Sequence, residues 1–175
     1  MPLRATVLLL AMFSIFGLAA KSSALEAGSP APIVSGTNQD GQPTAFEDVY
    51  AKGPTLVFFY PKAETPGCTA QACSLRDAFA ELSAQNLQIL GVSRDTAEAQ
   101  KKFQQKQNLP FPLIADHDGK IAEAFGVSSV LGLPISNRQS FLIKDGKIVW
   151  TSPKAKTGEH AKEVQAALDA LKLGN

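Results

Sequence analysis

The stretch TLVFFYPKAETPGCTAQAC, residues 55–73, passes from an apolar run to helix-start signals within a few positions. Residues 55–60 contain no charge and predict a strand that is covered on both faces. Thr65 and Pro66 are typical of an N-cap and a first helical residue, since threonine caps well and proline lacks only an N–H that would be unpaired there. Cys68 is then the third helical residue, near the positive end of the helix dipole, which favours a thiolate. The stretch therefore predicts a strand–loop–helix unit that presents a nucleophilic cysteine.

Further strands and helices alternate after this unit. The patterns predict helices over 66–84, 96–107, 119–125 and 159–173, and strands over 87–92, 111–115, 139–144 and 147–151, after two short extended pieces between residues 33 and 46. Strand–helix alternation indicates crossover connections and parallel pairing. The last two strands flank Asp145-Gly146, a tight turn that favours an antiparallel hairpin. We expect an α/β fold with a mixed central sheet sandwiched by helices.

The spacing Pro61-x-x-x-Thr65-x-x-Cys68 resembles the active-site signature of peroxiredoxins. The longer run FFYPKAETPGCTAQAC, in which Cys73 follows five residues after Cys68, is similar to the Q-type branch, also called the bacterioferritin comigratory protein family. The likeness extends from about Gly28 to the C-terminus through LGVSRDTAEAQKKF, LPFPLIADHDGKIAEAFGV and NRQSFLIKDGKIV. This resemblance implies a thioredoxin-like fold and a thiol peroxidase without a cofactor. It also implies a peroxide substrate, a thioredoxin-like dithiol reductant and a monomer.

The resemblance also implies which residues form the site. Cys68 is the residue that attacks the peroxide, and the hydroxyl of Thr65 hydrogen-bonds at the peroxide position. Arg138, in the run Arg138-Gln139-Ser140-Phe141, corresponds to the family arginine whose fork holds both sulfur and peroxide oxygen. By its sequence context alone, an arginine before a strand is more often a surface charge. The active-site loop contains Pro61, Pro66 and Gly67, and we expect the two prolines to be rigid walls that limit water around the sulfur.

Cys73 is the only other cysteine in the 175 residues, so it is the one candidate within the chain to condense with an oxidised Cys68. Residues i and i+5 on an ideal helix lie roughly 8.7 Å apart at Cα. A disulfide needs a Cα separation of about 7 Å or less. A redox disulfide between Cys68 and Cys73 therefore requires the first turns of the helix to unwind. The plainer alternative for Cys73 is a small buried apolar residue.

The first 24 residues have the pattern of a secretory signal peptide. Arg4 precedes 16 uncharged residues, and small residues at 22 and 24 suit cleavage. The alternatives are an uncleaved anchor and a buried N-terminal helix. We expect a linker over 25–32, one domain over 33–175, and export, most simply to a periplasm, with a plastid or thylakoid lumen or a membrane tether as alternatives. Without residues 1–24, 15 basic residues face 16 acidic ones, a near-neutral balance that argues against a general nucleic-acid partner.

Three other interpretations of the cysteines stay open at this point. An exported protein with two cysteines can use them for a structural disulfide. A general thiol–disulfide oxidoreductase normally has Cys-x-x-Cys, which the spacing of Cys68 and Cys73 does not match. A metal carrier would need a histidine near both cysteines. His117 is predicted in a turn and His160 on the last helix, and neither receives a role.

Overall fold

The computed structural model describes residues 25–173, so the leader predicted over residues 1–24 lies outside the described residues. The strands are β1 Ser35–Asn38, β2 Pro43–Ala45, β3 Thr55–Phe59, β4 Gln88–Ser93, β5 Leu113–Ala115, β6 Ser140–Lys144 and β7 Lys147–Ser152. The helices are α1 Phe46–Tyr50, α2 Pro66–Asp77, α3 Phe79–Ser83, α4 Ala97–Gln107, α5 Lys120–Ala124 and α6 His160–Leu173, with a 3-10 turn at Thr157–Glu159 before α6. Over this range, none of the helices combines the length and apolarity needed to cross a membrane.

The strands form one mixed sheet in the order β2-β1-β5-β4-β3-β6-β7. β3 pairs in parallel with β4, and β4 in parallel with β5, as crossover connections require. β6 pairs antiparallel with β3 and with β7, and the hairpin turn falls at Asp145-Gly146 as predicted. The predicted mixed sheet is confirmed. The carboxyl ends of its parallel strands β3, β4 and β5 lie at the same end of the sheet.

β3 lies inside the sheet, and its alternate side chains form the centres of two apolar cores. On one face, Leu56 and Phe58 belong to a cluster that includes Cys68 of α2 and Val164 of α6. On the other face, Val57 and Phe59 belong to a cluster with residues of α1 and α5. Burying one such large apolar side chain stabilises the fold by about 1.5–3 kcal/mol. The first core fixes α2, and with it the cysteine, against the sheet.

Three details differ from the sequence-based expectations. Helix α1, Phe46–Tyr50, was not predicted. The single helix predicted over 66–84 is two helices, because Ala78 has φ −94 and ψ 5 and so interrupts the α-helical hydrogen bonds. The segment 25–32, interpreted as a linker, contacts the domain. Gly28 N donates to Ile148 O (2.8 Å), and Ala31 N donates to Gly146 O (2.9 Å). These bonds place residues 28–31 along β7 at the edge of the sheet.

Candidate active site

Cys68 lies at the third position of α2, directly after the loop that leaves β3. Only 1% of the surface of Cys68 is accessible to solvent. Pro66 is the first helical residue, as expected, and no side chain caps the N-terminus of α2. The backbone N–H groups of Gly67 and Cys68 have no partner within the helix, because they belong to its first turn. Cys68 therefore lies in the first turn of α2, at the positive end of the helix dipole, which suits a negative charge.

Thr65 is the N-cap residue of α2 by its backbone conformation, but its hydroxyl does not cap the helix. Instead Thr65 Oγ1 donates to Lys62 O at 3.0 Å. A hydroxyl that donates in this way still offers its oxygen lone pairs as acceptors. Its position one turn before Cys68 is compatible with accepting a hydrogen bond from a peroxide at the sulfur.

Arg138 contacts the sulfur, although it is 70 residues away in the chain. Its Nη2 donates to Cys68 Sγ at 3.4 Å. Gly67 makes room for this approach, because a Cβ there would lie 3.3 Å from Arg138 Nη2. Within residues 25–173, Arg138 takes part in no ion pair with a carboxylate. Its positive charge is therefore directed at the sulfur rather than neutralised nearby.

Gln71 and His160 also belong to this site, although no sequence pattern indicated a role for either residue. Arg138 Nη1 donates to Gln71 Oε1, and Gln71 Nε2 lies 3.1 Å from His160 Nδ1. Both side chains are fully buried. Burial, together with the charge of Arg138, lowers the pKa of His160 to about 4. The imidazole is therefore neutral at ordinary pH.

The two prolines of the loop have different surroundings. Pro61 is half-buried and lines a cavity of about 610 Å³ that also touches Arg138, Val130 and Ala155. This cavity is the open approach to the guanidinium. Pro66 is exposed at the start of α2 and does not line the cavity, so it starts the helix rather than forming the wall that we expected.

The loop that presents Cys68 is tied to neighbouring elements by polar contacts. Ala63 N donates to Asp95 Oδ2 at 2.8 Å, which joins the loop to the segment after β4. Glu64 has a left-handed backbone (φ 62) and forms ion pairs with Lys102 (3.3 Å) and Lys106 (2.9 Å) of α4. These exposed pairs contribute little individually. Together with the buried end of β3, the contacts define the path from the strand to the helix.

Cys73 lies on the same continuous helix as Cys68, and neither cysteine is in a disulfide. The predicted obstacle to direct bonding is therefore present in the fold. Cys73 is only half-buried, and its sulfur lies 3.6 Å from Gln107 Oε1 of α4. Arg76 Nη1 donates to Gln107 O at 2.8 Å, so this end of α2 is held to the C-terminus of α4.

The histidines do not complete a metal site with the cysteines. His117 is exposed in the turn before α5, and the Nδ1 of His160 faces Gln71. Among residues 25–173, no three His, Cys, Asp or Glu side chains come together as metal ligands. What the site does present is a buried sulfur beside a guanidinium and helix N–H groups. This arrangement can attack an electrophile and stabilise negative charge on a departing oxygen.

Comparison with known proteins agrees with this chemistry. A model of the AhpC/TSA family matches residues 27–151. A protein described as putative peroxiredoxin bcp from Coxiella burnetii is 37% identical over 150 residues, which cover 82% of this chain and 99% of the relative. Peroxiredoxin Bcp from Escherichia coli is 42% identical over 142 residues, which cover 78% of this chain and 90% of the relative.

Solved structures give the same family. The crystal structure of peroxidoxin BcpB from Mycobacterium tuberculosis has a TM-score of 0.78 at 33% identity, covering 83% of this chain and 97% of that one. A cysteine-to-serine mutant of Xylella fastidiosa PrxQ has a TM-score of 0.79 at 25% identity, covering 86% and 99%. The predicted thioredoxin-like fold is confirmed by these similarities. The chain belongs to the AhpC/TSA family, in its Bcp or peroxiredoxin Q branch.

Proposed function

We propose that this thiol-dependent peroxidase uses Cys68 to reduce hydrogen peroxide and organic hydroperoxides. The thiolate attacks one peroxide oxygen, an S–O bond forms and the O–O bond breaks. The other oxygen takes up a proton and leaves as water or an alcohol, and Cys68 becomes a sulfenic acid. The observation that supports this most directly is the 3.4 Å contact between Arg138 Nη2 and Cys68 Sγ. A fixed cation there stabilises both the thiolate and the charge that develops on the leaving oxygen.

Thr65 and the cavity complete the proposed site for the peroxide. The Thr65 hydroxyl donates to Lys62 O, so its oxygen is oriented to accept the hydrogen of a bound hydroperoxide. The cavity beside Arg138 and Pro61 has room for the organic group of a hydroperoxide. The peroxide then lies between an acceptor on one side and a cation on the other.

The second half of the proposed cycle uses Cys73. Its thiol attacks the sulfenic sulfur of Cys68, a disulfide forms, and the hydroxyl leaves with a proton as water. A thioredoxin-like dithiol then reduces the disulfide and is itself oxidised. Formation of the disulfide requires α2 to unwind, because both cysteines lie on its continuous helical stretch. The half-buried position of Cys73 supports this role better than that of a core residue.

The same proposal includes the compartment and the assembly. The charge-free run after Arg4 and the small residues at 22 and 24 support export to a periplasm. The resemblance to the Q-type branch supports a monomer. Cell fractionation together with the mass of the mature protein tests export and cleavage after residue 24. An intact N-terminus in the cytoplasmic fraction would contradict it.

Two cysteine variants test the chemistry. With a thioredoxin-type dithiol and excess peroxide, Cys68→Ser should lose turnover and sulfenic-acid labelling entirely. Cys73→Ser should keep the first peroxide step, stall as a sulfenic acid and become prone to further oxidation. Substantial peroxidase activity in Cys68→Ser would contradict the assignment. Turnover of disulfide substrates without peroxide would instead favour a general thiol–disulfide oxidoreductase.

A further inference from the structure

Arg138, Gln71 and His160 form a buried row of hydrogen bonds that ends at the sulfur of Cys68. The two arms of the guanidinium are divided between two partners: Nη2 donates to Cys68 Sγ, and Nη1 donates to Gln71 Oε1. The amide of Gln71 continues the row, with Nε2 3.1 Å from His160 Nδ1. Gln71 and His160 are each 0% exposed, so water does not reach their side chains.

The direction of every hydrogen bond in this row follows from Arg138. A guanidinium can only donate, so Gln71 must turn its oxygen toward Arg138 and its NH₂ group toward His160. His160 Nδ1 therefore accepts, and the ring hydrogen lies on Nε2. That nitrogen is buried and has no hydrogen-bond partner within residues 25–173. The tautomer is thus set by Gln71 alone, at the cost of an unpaired buried donor.

The imidazole is held firmly relative to α2. Ala161 N donates to Ser74 Oγ at 3.1 Å, which joins the first turn of α6 to α2. The His160 ring also meets Phe58 of β3 in an edge-on contact, with ring centres 6.0 Å apart and planes at 72°. The His160 ring is therefore held in one position, and its Nδ1 offers the side chain of Gln71 a fixed hydrogen-bond acceptor.

We propose that His160 is a positioning residue for the peroxidatic thiolate. Its neutral Nδ1 fixes the amide of Gln71, which in turn fixes the plane of the Arg138 guanidinium against Cys68 Sγ. Because the guanidinium is planar, a change at Nη1 also moves Nη2. Reversing the Gln71 amide would place its NH₂ group against Nη1, donor against donor, and would turn the fork away from the sulfur. The proposal rests on the proposed role of Cys68 as the nucleophile.

The row is also uncharged apart from Arg138 itself. A carboxylate at position 71 would attract the guanidinium and offset its charge, whereas a neutral amide held by a neutral imidazole leaves that charge to the sulfur. The row therefore orients Arg138 without weakening its interaction with the thiolate.

The first test measures the tautomer in reduced wild-type protein and needs no catalytic turnover. Nitrogen-15 chemical shifts of the imidazole identify which ring nitrogen holds the hydrogen. We expect hydrogen on Nε2 of His160 in the wild type. In Gln71→Glu, whose carboxylate only accepts, we expect hydrogen on Nδ1. A wild-type ring with hydrogen on Nδ1, or a ring that does not respond to Gln71→Glu, would overturn the proposal whatever the outcome for Cys68.

The second test measures the rate of sulfenic-acid formation at a fixed pH. His160→Phe keeps an aromatic ring but removes the acceptor, so the peroxide reaction should slow roughly tenfold. His160→Asn places an oxygen at the position of Nδ1 and should restore most of the rate.

Val164→Ala is the matched packing control, since it removes apolar volume from α6 but no polar atom. Val164 belongs to the same apolar core as Cys68, so this variant should lower stability and slow the peroxide step far less than His160→Phe does. Equal rates for wild type and folded His160→Phe would overturn the proposal. An equal loss of rate in His160→Phe, His160→Asn and Val164→Ala would do the same, because it would indicate packing alone.

Discussion

In the proposed mechanism Arg138 and Thr65 act on the reacting atoms through different groups, so conservative substitutions can separate their roles. Arg138→Lys keeps a positive charge but loses the fork that contacts both Cys68 Sγ and Gln71. The rate constant of the first peroxide step should fall by about two orders of magnitude, as when a donor to a developing anion is removed. Trapping of the Cys68 sulfenic acid in samples quenched after rapid mixing with peroxide measures this rate constant.

Thr65→Val deletes the hydroxyl at nearly constant shape and should slow the same step about tenfold. Thr65→Ser is the matched control, because it keeps a hydroxyl at the position that donates to Lys62 O. Thr65→Ser should react at close to the wild-type rate. If both Arg138→Lys and Thr65→Val react like the wild type, the peroxide does not bind between these two residues.

His160 gives the fold a pH dependence whose sign follows from its pKa. Folding lowers the pKa of His160 from 6.5 to about 4, so the unfolded chain binds a proton at higher pH than the native one. Stability should fall as the pH drops from about 6.5 to about 4, by about 3 kcal/mol in total. Urea unfolding at a series of pH values measures this effect.

The comparison with His160→Asn isolates the contribution of the histidine, because other groups titrate in the same range. Burial raises the pKa of Asp116, which favours the folded state at lower pH and gives the opposite trend. The difference between wild type and His160→Asn removes the contribution of Asp116. Parallel stability curves for the two proteins would mean that the native imidazole titrates normally.

The residues of the site differ in how much of their role can be predicted from the sequence. Thr65, Pro66 and Cys68 lie within four consecutive residues, so the sequence preferences of helix N-termini predict their positions in α2. The contact of Arg138 with the sulfur spans 70 residues, and only the family resemblance indicated it. The pairing of Gln71 with His160 spans 89 residues and has no local signal, because a buried neutral histidine looks like any helix residue.

At the scale of elements, the proposed cycle makes α2 both the support of Cys68 and the segment that must unwind. Its N-terminal end is held by the Arg138–Cys68 contact, and its C-terminal part by the bonds of Arg76 and Cys73 to Gln107. In the proposed cycle, oxidation of a Cys68 thiolate to a neutral sulfenic acid removes the charge that attracts Arg138. The first contact therefore weakens at the stage of the cycle when unwinding is needed.

One equivalent of peroxide should produce an intramolecular disulfide, a small loss of helix signal and faster amide exchange from residues 67 to 75. The sheet should stay protected, because its strands belong to the two apolar cores. Circular dichroism and hydrogen exchange measure these changes. A disulfide between chains, with a reduced Cys73 in fully oxidised protein, would contradict the intramolecular step.

The bond of Arg76 to Gln107 O should control how fast α2 opens. Arg76→Ala removes this bond, so the disulfide should form severalfold faster after a peroxide pulse, as mass spectrometry of quenched samples would show. Asp77→Asn is the matched control, because it breaks the 2.8 Å ion pair with Arg76 but keeps the bond to Gln107. Equal disulfide rates in all three proteins would place the barrier to unwinding elsewhere.

The order and type of the longer elements followed from hydrophobic periodicity, but helix α1 was not predicted and one helix boundary differed. Leu75, Phe79 and Leu82 keep helical spacing through Ala78, so the side-chain pattern contains no sign of the interruption there. Similarly, residues 28–31 lack an apolar alternation, and their bonds to β7 are made by backbone groups alone. Composition predicts a linker for such a segment, because backbone hydrogen bonds can form whatever side chains the segment carries.

At the scale of the whole molecule, the sheet separates a core that supports the site from a core that supports only the fold. Cys68, Phe58 and Val164 belong to the first, and Phe58 also contacts His160. Phe125 belongs to the second, where it packs on Phe59 (5.3 Å) and Phe141 (5.1 Å) between ring centres. Activity and stability should therefore respond differently to the same substitution on the two faces.

Phe58→Leu and Phe125→Leu test this division, since both rings are 0% exposed and the chemical change is identical. Each variant should lose about 1–2 kcal/mol of unfolding free energy, measured by urea denaturation. Only Phe58→Leu should also slow the first peroxide step, because it removes the ring that packs against His160 and lies in the core beneath α2. Phe125→Leu should react with peroxide at the wild-type rate in the temperature range where it is fully folded. A matching loss of rate in Phe125→Leu would mean that the two faces are coupled through the sheet, and that the geometry at Cys68 depends on the packing of the whole domain.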